Sequence, residues 1–271
     1  MNSLAVVLAV LTYNVHGLDA WLVDDDPVAR MPQISERLDK YDVALIQESW
    51  SNYDLLARSA TQPVHERGDG VDAGPFFLTG LATFARPELL AVSRGSLGAC
   101  SGWLSGANDC FADKGYLRVR LRLANGLALD LWNLHLDAGD DDGDRAARAT
   151  QLDHLAKRVR ELSGTQALVI AGDFNLSDET PEDRMLRERF MQALELVDSG
   201  ARAAPDGPFA HKHIDYVLYR DGPGISLQPL EVGEAREFSA GKRPLSDHPA
   251  LFVKLQVMPV ATPATTPVSA P

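Results

Sequence analysis

Five apolar runs in this chain each end on, or lead into, a side chain that can bind a cation or carry a proton. They are Ile46-Gln47-Glu48, Trp132-Asn133-Leu134-His135, Ala171-Gly172-Asp173-Phe174-Asn175, His213-Ile214-Asp215-Tyr216 and Leu245-Ser246-Asp247-His248. Short apolar runs bounded by turn-forming residues read as buried strands. Polar groups at strand ends collect where strands leave the core. The chain is therefore expected to build packed sheets whose strand ends share one rim.

The first apolar stretch, residues 4–11, runs directly into Thr12-Tyr13-Asn14-Val15. No basic segment precedes it and no small-residue cleavage site follows, so it reads as a strand and not as a signal peptide. An exported protein of this sequence is expected to have lost its leader. Residues 27–41 carry Val28, Met31, Ile34, Leu38 and Tyr41 at gaps of three and four, one helical face. Residues 42–46 and 79–85 read as strands. Residues 116–123 alternate Leu117, Val119, Leu121 and Leu123 with Arg118, Arg120 and Arg122, a half-buried strand with a basic outer face. Asn125-Gly126 is a tight-turn dipeptide, and residues 127–134 return as the hairpin partner. A second helical stripe covers 146–162 and stops at Gly164. Residues 167–171, 214–219 and 250–255 read as strands, and 181–196 as a helix with Pro181 in its first turn.

A length of 271 residues suits one two-sheet domain. We expect it to span 1–257, followed at 258–271 by a disordered tail rich in Pro, Thr and Ala. The net charge is −12. Tight binding of a nucleic-acid backbone needs a basic footprint. Nucleic acid is thus the less expected substrate, and Arg118, Arg120 and Arg122 form the one obvious basic row, expected to be solvated. The two cysteines, Cys100 and Cys110, flank a loop rich in Gly, Ser and Asn that brings their ends together. A disulfide is expected, and with it an oxidising compartment, secreted or periplasmic.

The chemistry at the strand ends is that of metal-assisted hydrolysis. Glu48, just past a buried run, offers the oxygen ligand that Mg²⁺ prefers. Asp173 and Asn175, two apart, would turn to the same side of an extended backbone, one orienting a water and the other bonding a phosphoryl oxygen. His248 is suited to serve as general base. Asp215 is its expected carboxylate partner, leaving Asp247 to bind metal. His135 is expected on the opposite wall, donating to a phosphoryl oxygen.

Together with Asn14, these residues identify a resemblance. Gln47-Glu48, Asn133-Leu134-His135, Gly172-Asp173-Phe174-Asn175, Ile214-Asp215-Tyr216 and Ser246-Asp247-His248 follow the order and spacing of the endonuclease/exonuclease/phosphatase superfamily. The resemblance covers about residues 5–256 and implies the fold of pancreatic deoxyribonuclease. That fold is a four-layer α/β sandwich with two central, mostly antiparallel sheets flanked by helices. It implies a Mg²⁺ cofactor, as one or two ions that Mn²⁺ or Co²⁺ could replace, held by Glu48 with Asn14 and Asp247. It implies catalytic roles for His135, Asp173, Asn175, Asp215 and His248.

Within the superfamily the chain is most similar to bacterial and neutral sphingomyelinases. The likeness lies in Cys110-Phe111-Ala112-Asp113-Lys114-Gly115-Tyr116 and Asn133-Leu134-His135-Leu136-Asp137-Ala138-Gly139, with Arg148 and Gln151 in a helix. It implies a phospholipid substrate, with Lys114 and Asn133 as substrate-binding residues. His213 departs from the pattern, standing where the family often has Arg. A monomer touching a membrane surface is expected, through Phe76-Phe77 or Trp103. An endonuclease, or a binding protein that has lost turnover, are the competing readings.

Overall fold

The computed structural model describes residues 4–18, 25–68, 79–102, 110, 112–241 and 243–261. In chain order the elements are β1 (Val6–Asn14), α1 (Pro27–Leu38), β2 (Val43–Gln47), α2 (Tyr53–Ala57), β3 (Val64–Arg67), β4 (Ala82–Ala85), β5 (Glu88–Ser96), β6 (Gly115–Arg122) and β7 (Ala128–His135). They continue with α3 (Asp142–Ser163), β8 (Leu168–Asp173), α4 (Pro181–Leu194), β9 (Val197–Asp198), β10 (Asp215–Arg220), β11 (Ile225–Glu234), β12 (Ser239–Ala240), β13 (Arg243–Pro244) and β14 (Leu251–Pro259).

Two six-stranded sheets form, in the orders β11-β14-β1-β2-β4-β3 and β5-β6-β7-β8-β10-β9. Each is antiparallel except for one central parallel pair, β1 with β2 and β7 with β8. Both parallel pairs point their C-terminal ends at the same rim.

Strand alternation sorts three cores. Val10, Val43, Leu45, Val119, Leu131, Val169, Val217 and Val253 point inward and pack sheet on sheet. Tyr13, Ala44, Ile46 and Phe84 point outward and meet Met31, Ile34 and Leu38 of α1. Trp132, Leu134, Ile170 and Tyr216 do the same on the second sheet, beneath Leu155 and Val159 of α3 and Phe190 of α4. The expected four-layer α/β sandwich is what the chain forms. Each fully buried Val or Leu in these layers stabilises by about 1.5–3 kcal/mol, and truncating one such as Leu45 to Ala costs about 2–5 kcal/mol.

Some elements differ from the sequence reading. Helix α1 stops at Leu38, and Tyr41 leaves it to pack on Phe238. Helix α3 starts at Asp142, because Asp141 and Asp144 close a capping box ahead of the apolar stripe. Helix α4 ends at Leu194, where Glu195 turns left-handed. Strand β14 continues to Pro259, two residues past the expected domain end. The arginine row of β6, expected to be solvated, is exposed at Arg122, partly exposed at Arg120 and buried at Arg118. Arg118 is buried in a bidentate pair with Asp130, Arg120 reaches Asp130 and Gln166, and Arg122 lies near Glu88. Cys100 and Cys110 are joined in a disulfide, with Cα atoms 5.2 Å apart. Among the described residues no helix is long and apolar enough to cross a membrane. Phe76-Phe77, Trp103 and the distal tail lie outside the described residues.

Candidate active site

The inward face of the sandwich changes chemistry along its strands. Its middle is Val and Leu. Toward the shared rim the same register positions become Thr12 and Asn14 on β1, Gln47 on β2, Asn133 and His135 on β7, Asp173 on β8 and Asp215 on β10. His135 is paired with Asp173, and Asp173 with Asp215, across three neighbouring strands. These three side chains therefore stand in a row. Two carboxylates directly opposed in a sheet repel one another, so the arrangement costs stability and needs positive charge to offset it.

Local backbone features fix the row. Gly172 has φ 151°, and a Cβ there would lie 2.0 Å from the Leu134 carbonyl oxygen. Only glycine lets β8 close on β7 and bring Asp173 beside His135. On the first sheet Gly17 N–H donates to Glu48 O at 2.8 Å, and a Cβ on Gly17 would fall 2.3 Å from that oxygen. His16, Glu48 and Asn175 all hold positive φ, at 47°, 56° and 48°. Such strain in non-glycine residues persists where surrounding contacts over-determine it, and it gathers at functional sites.

Around Asp173 the contacts are dense. Asn14 Nδ2 donates to Glu48 Oε1 at 2.9 Å and to Asp173 Oδ2 at 3.0 Å, while its Oδ1 accepts from His16 N–H. His135 Nε2 lies 3.6 Å from Asp173 Oδ2, 3.9 Å from Glu48 Oε1 and 3.2 Å from Lys114 Nζ. His248 Nε2 is 3.6 Å from Asp173 Oδ2, and its Nδ1 is 2.9 Å from Asp215 Oδ2. Two overlapping groups result, Glu48–His135–Asp173 and Asp173–Asp215–His248, both suited to hold a metal ion.

The ionisation of these groups follows their neighbours. Burial, then Lys114 and His248, push His135 well below the ordinary histidine value. Burial acts on His248 in the same sense, but Asp215 and Asp173 outweigh it and push His248 up to about 9. Burial raises Asp173, Asp215 adds to the rise, and His248 opposes it. For Asp247, burial is outweighed by His248, Lys212 and His16, which hold its carboxyl below the usual range.

The expected site residues distribute as follows. Glu48, Asn14, His135, Asp173, Asp215 and His248 converge. Asn175 is adjacent, but not through an extended backbone: the chain turns at Phe174-Asn175, with Asn175 N–H donating to Asp173 Oδ1 and Asn175 Nδ2 to Leu136 O. Asp247 faces His16 at 3.4 Å and Lys212 at 3.6 Å, outside the Glu48–His135–Asp173 group. Lys114 is buried, with its ammonium against His135.

Asn133, expected to touch substrate, requires correction. It is fully buried, and its amide donates to Ile46 O and Ala82 O while its oxygen accepts from Gln47. Its polar atoms are spent on joining the two sheets beneath the site. Sequence reading gave no role to His16, Lys212 or Arg30. Lys212 sits one residue before His213 in a segment already singled out, which was its available signal.

The donor set fits a hard divalent cation. Carboxylate oxygens dominate, Glu48 is partly exposed, and Asp215 Oδ1 is buried with no hydrogen-bond partner among the described residues.

A family model described as the Endonuclease/Exonuclease/phosphatase family matches residues 11–248. Sphingomyelinases of Mycobacterium bovis and Mycobacterium tuberculosis are 27% identical over 263 residues, covering 89% of this chain and 51% of theirs. The chain thus spans about half the length of those relatives. A variant of the beta toxin from Staphylococcus aureus with bound magnesium ions superposes with TM-score 0.70 at 16% identity, over 92% of this chain and 99% of the toxin. Sphingomyelinase C from Streptomyces griseocarneus gives 0.69 at 17%, over 92% and 99%. With its strand-end carboxylates and histidines gathered at one rim of a matching two-sheet sandwich, the chain belongs to the Endonuclease/Exonuclease/phosphatase family.

Proposed function

We propose that this chain is a Mg²⁺-dependent phosphodiesterase that cleaves phospholipid head groups, releasing phosphocholine from sphingomyelin. The observation that carries the hydrolytic part is the line Asp215–His248–Asp173. Asp215 at Nδ1 of His248 keeps a proton on that nitrogen, so Nε2 is left to accept one. Nε2 points at Asp173, which is placed to orient a water there. His248 then takes the proton of that water, and Asp215 stabilises the imidazolium. Asn175 lies on the other side of Asp173, positioned to donate to a phosphoryl oxygen, while His135 beside it accepts at Nε2 from the Lys114 ammonium and is not placed as the donor expected from sequence.

Glu48, with Asn14 and Asp173 beside it, would hold Mg²⁺. The cation supplies charge stabilisation at the phosphoryl group and a more acidic water. The likeness to the mycobacterial sphingomyelinases supports the lipid substrate. The acidic balance supports it too, because an acidic protein repels a polyanionic backbone and does not repel a cationic choline head group. The nuclease reading relied on Arg118, Arg120 and Arg122, which are engaged with acidic partners. The disulfide supports a secreted or periplasmic protein, and we propose that it acts as a monomer at a membrane surface.

The test is phosphocholine release from sphingomyelin vesicles, with EDTA and after Mg²⁺ is restored. Release that EDTA stops and Mg²⁺ restores is expected. Metal-dependent nicking of plasmid DNA without release from any phospholipid would overturn the lipid substrate.

A further inference from the structure

Pairing between β1 and β14 stops at Thr12 with Leu251. Beyond that point the carbonyls of Asn14, Val15 and His16 accept from side chains. A buried carbonyl without a donor is costly. Two side chains supply these donors. Ser246 Oγ donates to Asn14 O at 2.7 Å. Arg30, buried on α1, donates through Nη1 to Val15 O at 3.0 Å and through Nη2 to His16 O at 2.8 Å. The same Nη1 also donates to Leu245 O, the residue before Ser246-Asp247-His248. Asp25 Oδ2 lies 2.6 Å from Nη2 and balances the charge.

We infer that Arg30 is a positioning residue that sets the Asn14–His16 turn and the Ser246–His248 turn at one fixed separation. One planar guanidinium bonds carbonyls of both turns, a fork geometry that a lysine ammonium cannot reproduce. The turns it joins carry Asn14, which ties Glu48 to Asp173, and His248, which pairs with Asp215. It also supplies a contact that holds His16 at φ 47°.

This inference rests on the proposed hydrolytic site but not on its lipid substrate. The test compares Arg30→Met and Arg30→Lys with the parent chain in three readouts. They are turnover of bis(p-nitrophenyl) phosphate with Mn²⁺, Mn²⁺ affinity by electron paramagnetic resonance, and amide hydrogen exchange. Partners that orient a metal site typically alter affinity or activity by about 10–100-fold when removed. Arg30→Met is expected to lower kcat within that range with KM held within about threefold, and to weaken Mn²⁺ binding about tenfold. Arg30→Lys should fall between. Exchange should quicken in residues 13–17 and 244–249 together. A folded Arg30→Met with parental kcat and Mn²⁺ affinity overturns the inference, as does faster exchange in only one of the two turns. If Arg30→Met does not fold, Arg30→Lys decides by the same criteria. If the parent chain turns over no phosphodiester, the proposed function fails while Mn²⁺ affinity and exchange still decide the role of Arg30.

Discussion

His135 and His248 approach the same oxygen of Asp173, each at 3.6 Å, from opposite sheets. Both are buried, yet their proton affinities move in opposite directions. Burial disfavours the charged form of each. The difference lies in the next neighbour: a lysine ammonium 3.2 Å from His135, a carboxylate 2.9 Å from His248. Two titratable groups whose surroundings drive them apart fit the division of roles that the proposed function asks for. His135 is kept neutral, with its Nε2 accepting from the Lys114 ammonium. His248 is drawn toward its charged form, so as a base it would act from the rings that stand neutral.

The comparison is broken most directly by removing each imidazole in turn. A general base contributes about 10²–10⁴-fold to rate. His248→Ala is expected near the upper end of that range, and His135→Ala near its lower end. Phosphocholine release at saturating Mg²⁺ measures both. Equal losses for the two variants would erase the distinction drawn here.

A smaller effect sharpens the same contrast in the metal-free protein. The folded-state value of His248 is raised above the ordinary 6.5 to about 9. Its stabilising contribution is therefore fully present below 6.5 and is lost as pH rises through about 9. His135 is shifted the other way and acts around and below 6.5, outside that window. A shift of this size corresponds to roughly 3 kcal/mol. Urea unfolding in EDTA should show stability declining between pH 6.5 and 9, and Asp215→Asn should flatten the decline. A decline unchanged in that variant would mean another group is responsible.

How much of this was legible from sequence depended on range. The row His135, Asp173, Asp215 was readable because each residue ends or begins an apolar run, and alternation fixes which way it faces. The edge strands β5 and β11 were not. β5 is largely exposed and lacks alternation, and β11 carries Pro229 at a register shift, which edge strands tolerate and central ones do not. Asn133 was misread because its inward position suits substrate and scaffold equally. Only the second sheet, arriving with Ile46 and Ala82 carbonyls, decides between them. Arg30 was invisible for the same reason, since one of its acceptors lies 215 residues away.

The smallest expected effect isolates the neighbour that separates the two histidines. In Lys114→Met the ammonium against His135 is gone, while burial, the largest cause of its lowered value, remains. His135 should therefore move up toward 6.5 without reaching it, and His248, held by Asp215 and Asp173, should stay near 9. Imidazole NMR titration of the metal-free protein resolves the two rings. If His135 does not move, its neutrality comes from burial alone and Lys114 has no part in it. If both rings move together, Lys114 acts through Asp173, which they share, and the two sides of the site are electrostatically one unit.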